Sequence, residues 1–186
     1  MNRRTPWLTL GIFVLTLAVT AAMWRWPGIG PALERDPRML AGEWWRFFST
    51  WLVLIDGWSQ VLLNSIGLLV YGTLVERSLG RGWWLVAYVV AGLVGEVAGL
   101  FWQPVGGGNS VAICGLIGLF SVWQAARPSR GGPPAVLGAV IWGGLGLWLV
   151  THSDIHGAAL VAGFAVGLAW LVRNRGFSVR TELESK

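Results

Sequence analysis

A chain of 186 residues that is 54% hydrophobic and 12% charged, with 14 tryptophans and a mean hydropathy of +0.59, is far too apolar for a soluble domain of its length. Its net charge of +5 and pI near 10.7 come from arginines dispersed over the ends of apolar runs, with no clustered basic face, which argues against nucleic acid as a partner. These numbers describe an all-α polytopic membrane protein.

Six stretches approach the roughly 17 to 25 residues that a helix needs to cross a hydrocarbon core about 30 Å thick. The first, Trp7 to Trp24, follows Arg3 and Arg4. Its apolar core is longer than that of a cleaved signal peptide, and Trp24, Trp26 and Pro27 stand where a cleavage region of small residues would be needed, so a retained helix is expected. Arg25 to Gly57 is the longest non-spanning stretch. Trp44-Trp45-Arg46-Phe47-Phe48 and Trp51-Leu52-Val53-Leu54-Ile55 make it too apolar for a free loop. It is expected to lie in the outer interface, as aromatic anchors do, or to re-enter the membrane beside the bundle.

The second run, Trp58 to Val75, carries Gln60 and Asn64 four residues apart, on one helical face near the outer end. An amide inside a span needs a partner; it either bridges helices or donates to negative charge developing in an adjoining site. The third run, Trp83 to Trp102, contains Glu96 towards its outer end, where the carboxylate reaches water or pairs locally. Intramembrane carboxylates often mark ion pathways, so Glu96 leaves a small transporter open as an alternative.

Pro104-Val105-Gly106-Gly107-Gly108-Asn109 forms a flexible approach to the fourth run, Ser110 to Ala126. A helix N-terminus presents unpaired N–H groups and partial positive charge, which suit an oxyanion beside a nucleophilic serine; the same residues also suit a plain N-cap. The lone Cys114 lies inside this run, forms no internal disulfide and has no cationic neighbour to activate it. Pro134 to Val150 is the fifth run, with His152 just beyond it.

His156 opens the sixth, Ile155 to Val172. At about 100° per residue, Gly163 and Gly167 fall within roughly 20° of His156, with Ala159 nearby, so the imidazole stands above a strip of small residues. Gly115 and Gly118 give the Ser110 helix a similar surface, and small residues let membrane helices approach closely. Packed together, the two strips bring His156 towards Ser110, within reach of a proton transfer; His152 is the weaker candidate base.

Lys and Arg mark the cytoplasmic side of short connections. With the N-terminus inside, Arg3, Arg4, Arg77, Arg81, Arg127, Arg130, Arg173, Arg175, Arg180 and Lys186 fall inside, ten of the 14 basic residues. The other four, Arg25, Arg35, Arg38 and Arg46, share the first outside segment with Glu34, Asp36, Glu43 and Asp56. Both termini are therefore expected in the cytoplasm, with Ser110 and His156 near the outer face. The remaining loops are short, so residues 1–186 are expected to form one membrane domain with short tails.

From about Glu43 to Gly167 the chain resembles the rhomboid intramembrane serine proteases. Trp45-Arg46 is similar to the family's Trp-Arg pair in the first outside loop, Asn64 to its second-helix asparagine, and Glu76-Arg77-Ser78-Leu79-Gly80 to the turn that follows. Gly108-Asn109-Ser110-Val111-Ala112-Ile113-Cys114-Gly115-Leu116-Ile117-Gly118 resembles the nucleophile motif, and His156 with Ala159 and Gly163 the sixth-helix histidine and its ladder. The resemblance implies a six-helix rhomboid-like bundle and a Ser-His dyad that cuts transmembrane or membrane-anchored proteins, without metal or organic cofactor, in a bacterial cytoplasmic membrane. It further implies that Asn64 and Gln60 support the oxyanion.

Two positions depart from the family pattern. Val111 stands where a glycine usually follows the serine, and Gln60 where a histidine usually helps form the oxyanion hole. They motivate the alternative of a catalytically inactive relative that binds membrane proteins without cutting them. Glu34 to Arg46 and the small size also resemble the rhombosortase branch.

Overall fold

The computed structural model describes residues 5–184, with side chains described outside 128–131 and 175–184. The topological assignments of Arg3, Arg4 and Lys186, and the side chains of Arg130, Arg175 and Arg180, lie outside the described residues. Among the described residues the structure is helical apart from one bridging pair, Arg35 with Gly106. The long helices are α1 (Trp7–Arg25), α2 (Gly57–Ser78), α3 (Arg81–Trp102), α4 (Ser110–Ala125), α5 (Pro128–Thr151) and α6 (Ile155–Glu184). In α5 the backbone breaks at Gly132, and the apolar span proper begins there.

Five of these helices are long and apolar enough to cross a membrane; α4 is not. The fourth apolar run forms its helix within one residue of the expected bounds, and that helix is the shortest of the six. Sixteen residues of helix extend only about 24 Å, short of a core about 30 Å thick. The short helix is the centre of the bundle, packed against α3, α5, α6 and the middle of α2, with Val111, Ala112, Ile113 and the stretch from Gly115 to Leu119 buried.

Close approach at this centre depends on glycine. A Cβ added at Gly163 would stand 2.6 Å from the Gly115 carbonyl oxygen and 2.7 Å from its Cα, and one at Gly118 would stand 2.6 Å from the Gly163 carbonyl carbon. The contacts are with backbone, which cannot rotate aside. The expected pairing of small-residue strips on α4 and α6 is thus a backbone-to-backbone contact, and it sets the registry of Ser110 against His156.

Where α2 crosses between α1 and α4, its middle turn widens into a π-turn, Leu68–Gly72. Beyond it, Glu76 reaches the start of α1, which has no side-chain cap of its own. Its carboxylate accepts from the backbone N–H groups of Leu8 (3.1 Å) and Thr9 (2.9 Å) and from the Thr9 hydroxyl (2.9 Å). Arg81 Nε adds a further contact at 3.3 Å. An acidic group at a helix N-terminus satisfies orphan donors and opposes the positive end of the helix dipole. The turn then reverses at Gly80, whose φ of 90° favours glycine.

The segment between α1 and α2 folds into short helical pieces, Ile29–Leu33, Pro37–Ala41, Arg46–Ser49 and Thr50–Leu52. Asp36 caps the second of these, and the Arg38 side chain beside it holds its carboxyl down to about 2. Trp44 and Trp45 are exposed, as interfacial anchors are, while Met39, Trp51, Val53 and Leu54 are buried. Thr50 is buried with them, and the Thr50–Leu52 turn packs against α1.

Gly163→Ala should lower stability by about 1–3 kcal/mol through overpacking against backbone. Gly138→Ala, where an added Cβ meets nothing within 4 Å, should be neutral or mildly stabilising. Thermal unfolding of the two variants in the same detergent checks the contrast.

Candidate active site

The loop from Gln103 to Asn109 precedes Ser110. Its glycines suggest flexibility, but the structure ties the backbone at Gln103, Gly106, Gly107 and Gly108. Arg35 N–H donates to the Gly106 carbonyl (2.7 Å), Gly106 N–H to the Arg35 carbonyl (3.2 Å) and Gly108 N–H to the Thr50 carbonyl (2.9 Å). Gln60 Nε2 donates to the Gly107 carbonyl at 2.7 Å, and Arg35 Nε to the Gln103 carbonyl at 2.8 Å. Protein groups thus satisfy much of this irregular backbone. Gly107 leaves room for this, since a Cβ there would lie 2.8 Å from the Val53 carbonyl oxygen.

Ser110 is the first residue of α4 and is half-buried. Its Oγ lies 2.8 Å from His156 Nε2. His156 occupies the first turn of α6, immediately after the tight connection His152-Ser153-Asp154, where Ser153 takes the left-handed φ of 55°. His152 turns away on the last turn of α5: Nδ1 lies 2.8 Å from the Trp148 carbonyl and the ring packs on Trp148. Of the two histidines, therefore, only His156 meets the serine.

Asp154 was passed over in the sequence. Its Oδ1 lies 2.7 Å from His156 Nδ1 and accepts the His156 backbone N–H at 2.8 Å. The available signal was an Asp directly before an apolar helical run, the usual mark of an N-cap, two residues ahead of the histidine.

Ser110 and His156 open into a cavity of about 390 Å³, whose wall includes Asn64, Gln60, Ser59, Asp56, Gln103 and Arg35. Asn64 is buried and donates from Nδ2 to Asn109 Oδ1 at 3.0 Å. Gln60 is engaged at both ends, since its Oε1 accepts from Asp56 N–H at 3.0 Å while Nε2 holds Gly107. The two amides thus share the site's wall as their spacing predicts. Among the described residues, no group of three His, Cys, Asp or Glu side chains could hold a metal ion.

Glu96 pairs locally. It is fully buried and bonded to Arg35 Nη1 at 2.9 Å, beneath the pinned loop. The arginine is the local partner that an intramembrane carboxylate needs. Arg46 is buried as well; it donates from Nη1 to the carbonyls of Pro31 (3.0 Å) and Glu34 (2.8 Å) and from Nε to Glu43 Oε2 (2.5 Å). The Trp45-Arg46 pair thereby ties the segment between α1 and α2 together through its arginine.

A family model of the rhomboid domain matches residues 41–175. The chain belongs to the rhomboid family. Among curated relatives, it is 30% identical over 121 residues to "Putative rhomboid protease YdcA" of Bacillus subtilis (strain 168), a match covering 59% of this chain and 60% of that protein. It is 40% identical over 78 residues to "Rhomboid protease GluP" of the same organism, covering 41% of this chain and 15% of that protein. The chain thus aligns with less than two thirds of the length of either relative. The matched domain spans Ser110, His156, Asn64 and Gln60.

Within this rhomboid, Val111 does not face the cavity. It is buried against α3, where Gly95 makes a notch: a Cβ at Gly95 would stand 2.7 Å from Val111 Cβ. The β-branched side chain that replaces the family's usual glycine is accommodated by a glycine on the neighbouring helix.

Arg35→Met should destabilise by about 3–5 kcal/mol, because it strands a buried carboxylate. Arg35→Met with Glu96→Leu should recover much of that loss, and a thermal double-mutant cycle in detergent measures the difference.

Proposed function

We propose that this rhomboid hydrolyses peptide bonds of transmembrane or membrane-anchored proteins, with Ser110 as nucleophile and His156 as general base. The observation that carries the reading is the 2.8 Å approach of Ser110 Oγ to His156 Nε2 at the floor of a polar cavity. A hydroxyl and an imidazole at this distance are aligned for proton transfer.

In the proposed reaction the Ser110 proton moves to His156 Nε2 as Oγ bonds to the scissile carbonyl carbon. The carbon–nitrogen bond then breaks, the leaving amine takes the proton from Nε2, and water admitted through the cavity releases the acyl group by the same steps in reverse roles. Negative charge on the carbonyl oxygen is met by the Ser110 backbone N–H at the start of α4 and by Asn64, with Gln60 supporting through the Gly107 loop. In this reading both termini lie in the cytoplasm of a bacterium, the cavity opens at the outer face of the inner membrane, and residues 1–186 act as one domain. The inactive-binder alternative draws on Gln60, whose amide is already committed to Gly107 and Asp56.

A fluorophosphonate probe and a panel of tagged single-span substrates test the proposal. Wild type should label and cleave; Ser110→Ala and His156→Ala should do neither; Asn64→Ala should retain labelling but lose roughly 10²–10³ in kcat, the worth of one oxyanion donor. Wild type that captures substrates without labelling or cleavage would establish the inactive binder instead.

A further inference from the structure

We infer that Asp154 is a positioning residue for His156, a third group that sets the tautomer and orientation of the imidazole. The inference rests on the Ser110–His156 reading above and extends it from two residues to three.

One carboxylate oxygen holds both the main chain and the ring of the same residue: Asp154 Oδ1 accepts His156 N–H at 2.8 Å and lies 2.7 Å from Nδ1. A carboxylate only accepts, so the proton of the imidazole belongs on Nδ1. Nε2 then keeps its lone pair, and Nε2 is the nitrogen that faces Ser110 Oγ at 2.8 Å. The double attachment also resists rotation of the ring out of line. As the serine proton arrives at Nε2, the ring becomes an imidazolium with a negative group already at its far side; Asp154 takes up no proton in the process.

A helix cap is the competing account. Asp154 precedes α6, whose first N–H groups need acceptors, and the bond to His156 N–H meets that need. Capping does not require the bond to the ring, however. The left-handed turn at Ser153, uncommon outside glycine, is what carries Asp154 around to that side of the imidazole. Asp154 and His156 side chains are about a third exposed, at 31% and 37%, so the contribution is expected to be smaller than for a fully buried carboxylate.

The two accounts separate with variants that preserve the cap. Asp154→Asn and Asp154→Ser both supply a capping oxygen; the first removes the charge, and the second cannot reach the ring. In purified full-length protein, both should melt within about 2 °C of wild type, while kcat on a tagged substrate falls about tenfold or more with KM unchanged. In ¹⁵N-histidine-labelled Ser110→Ala, the Nδ1–H resonance of His156 should be present, and it should disappear when Asp154→Ser is added. Wild-type kcat in both Asp154 variants, or a His156 that carries its proton on Nε2 with Asp154 intact, overturns the inference. Failure of wild type itself to react with the probe would instead overturn the protease reading, and the resonance in Ser110→Ala would still decide whether Asp154 holds the ring.

Discussion

A peptide group in hydrocarbon must find a hydrogen bond, and most of this architecture follows from meeting that demand while leaving a serine within reach of water. The helix that begins at Ser110 is the shortest of the six, and the chain before it runs as irregular backbone tied to its neighbours. Arg35, Thr50 and Gln60 supply the partners for Gly106, Gly107 and Gly108. The space above the short helix becomes a polar cavity, with Ser110 and His156 on its floor.

Burial is distributed accordingly. In α3 and α6, 44% of the apolar window is buried within the protein, against 17% in α1 and 11% in α5. The outer helices leave large apolar side chains such as Leu137, Ile141 and Trp148 to lipid, whereas glycine and alanine crowd the centre. Lipid is as apolar as leucine, so bulky residues gain little by leaving it; dense backbone contact holds the centre instead. The Arg35–Glu96 pair joins the segment between α1 and α2, α3 and the Ser110 loop in one buried network.

Both departures from the family pattern have a structural setting. Val111 turns into the notch left by Gly95, and Gln60 becomes a tether for the loop ahead of the serine. A residue change beside a nucleophile thus has different meanings according to which side of the helix carries it, and a linear motif does not record the side.

Hydropathy, arginine placement and the period of glycines were enough to identify a multi-helix membrane bundle and to nominate Ser110, His156, Asn64 and Gln60, because each of these features is local: a run length, a loop charge or a helical repeat. The expected convergence of the Gly115–Gly118 strip with the Gly163 strip could be read in the same way. Only the tertiary structure decided that the glycine loop is clamped rather than free, that Glu96 is paired with Arg35 from 61 residues away, and that Asp154 meets the far side of the histidine ring. Two of those facts depend on partners remote in sequence, and the Asp154 contact depends on a left-handed turn at Ser153; none of them has a periodicity or composition that a linear reading can detect.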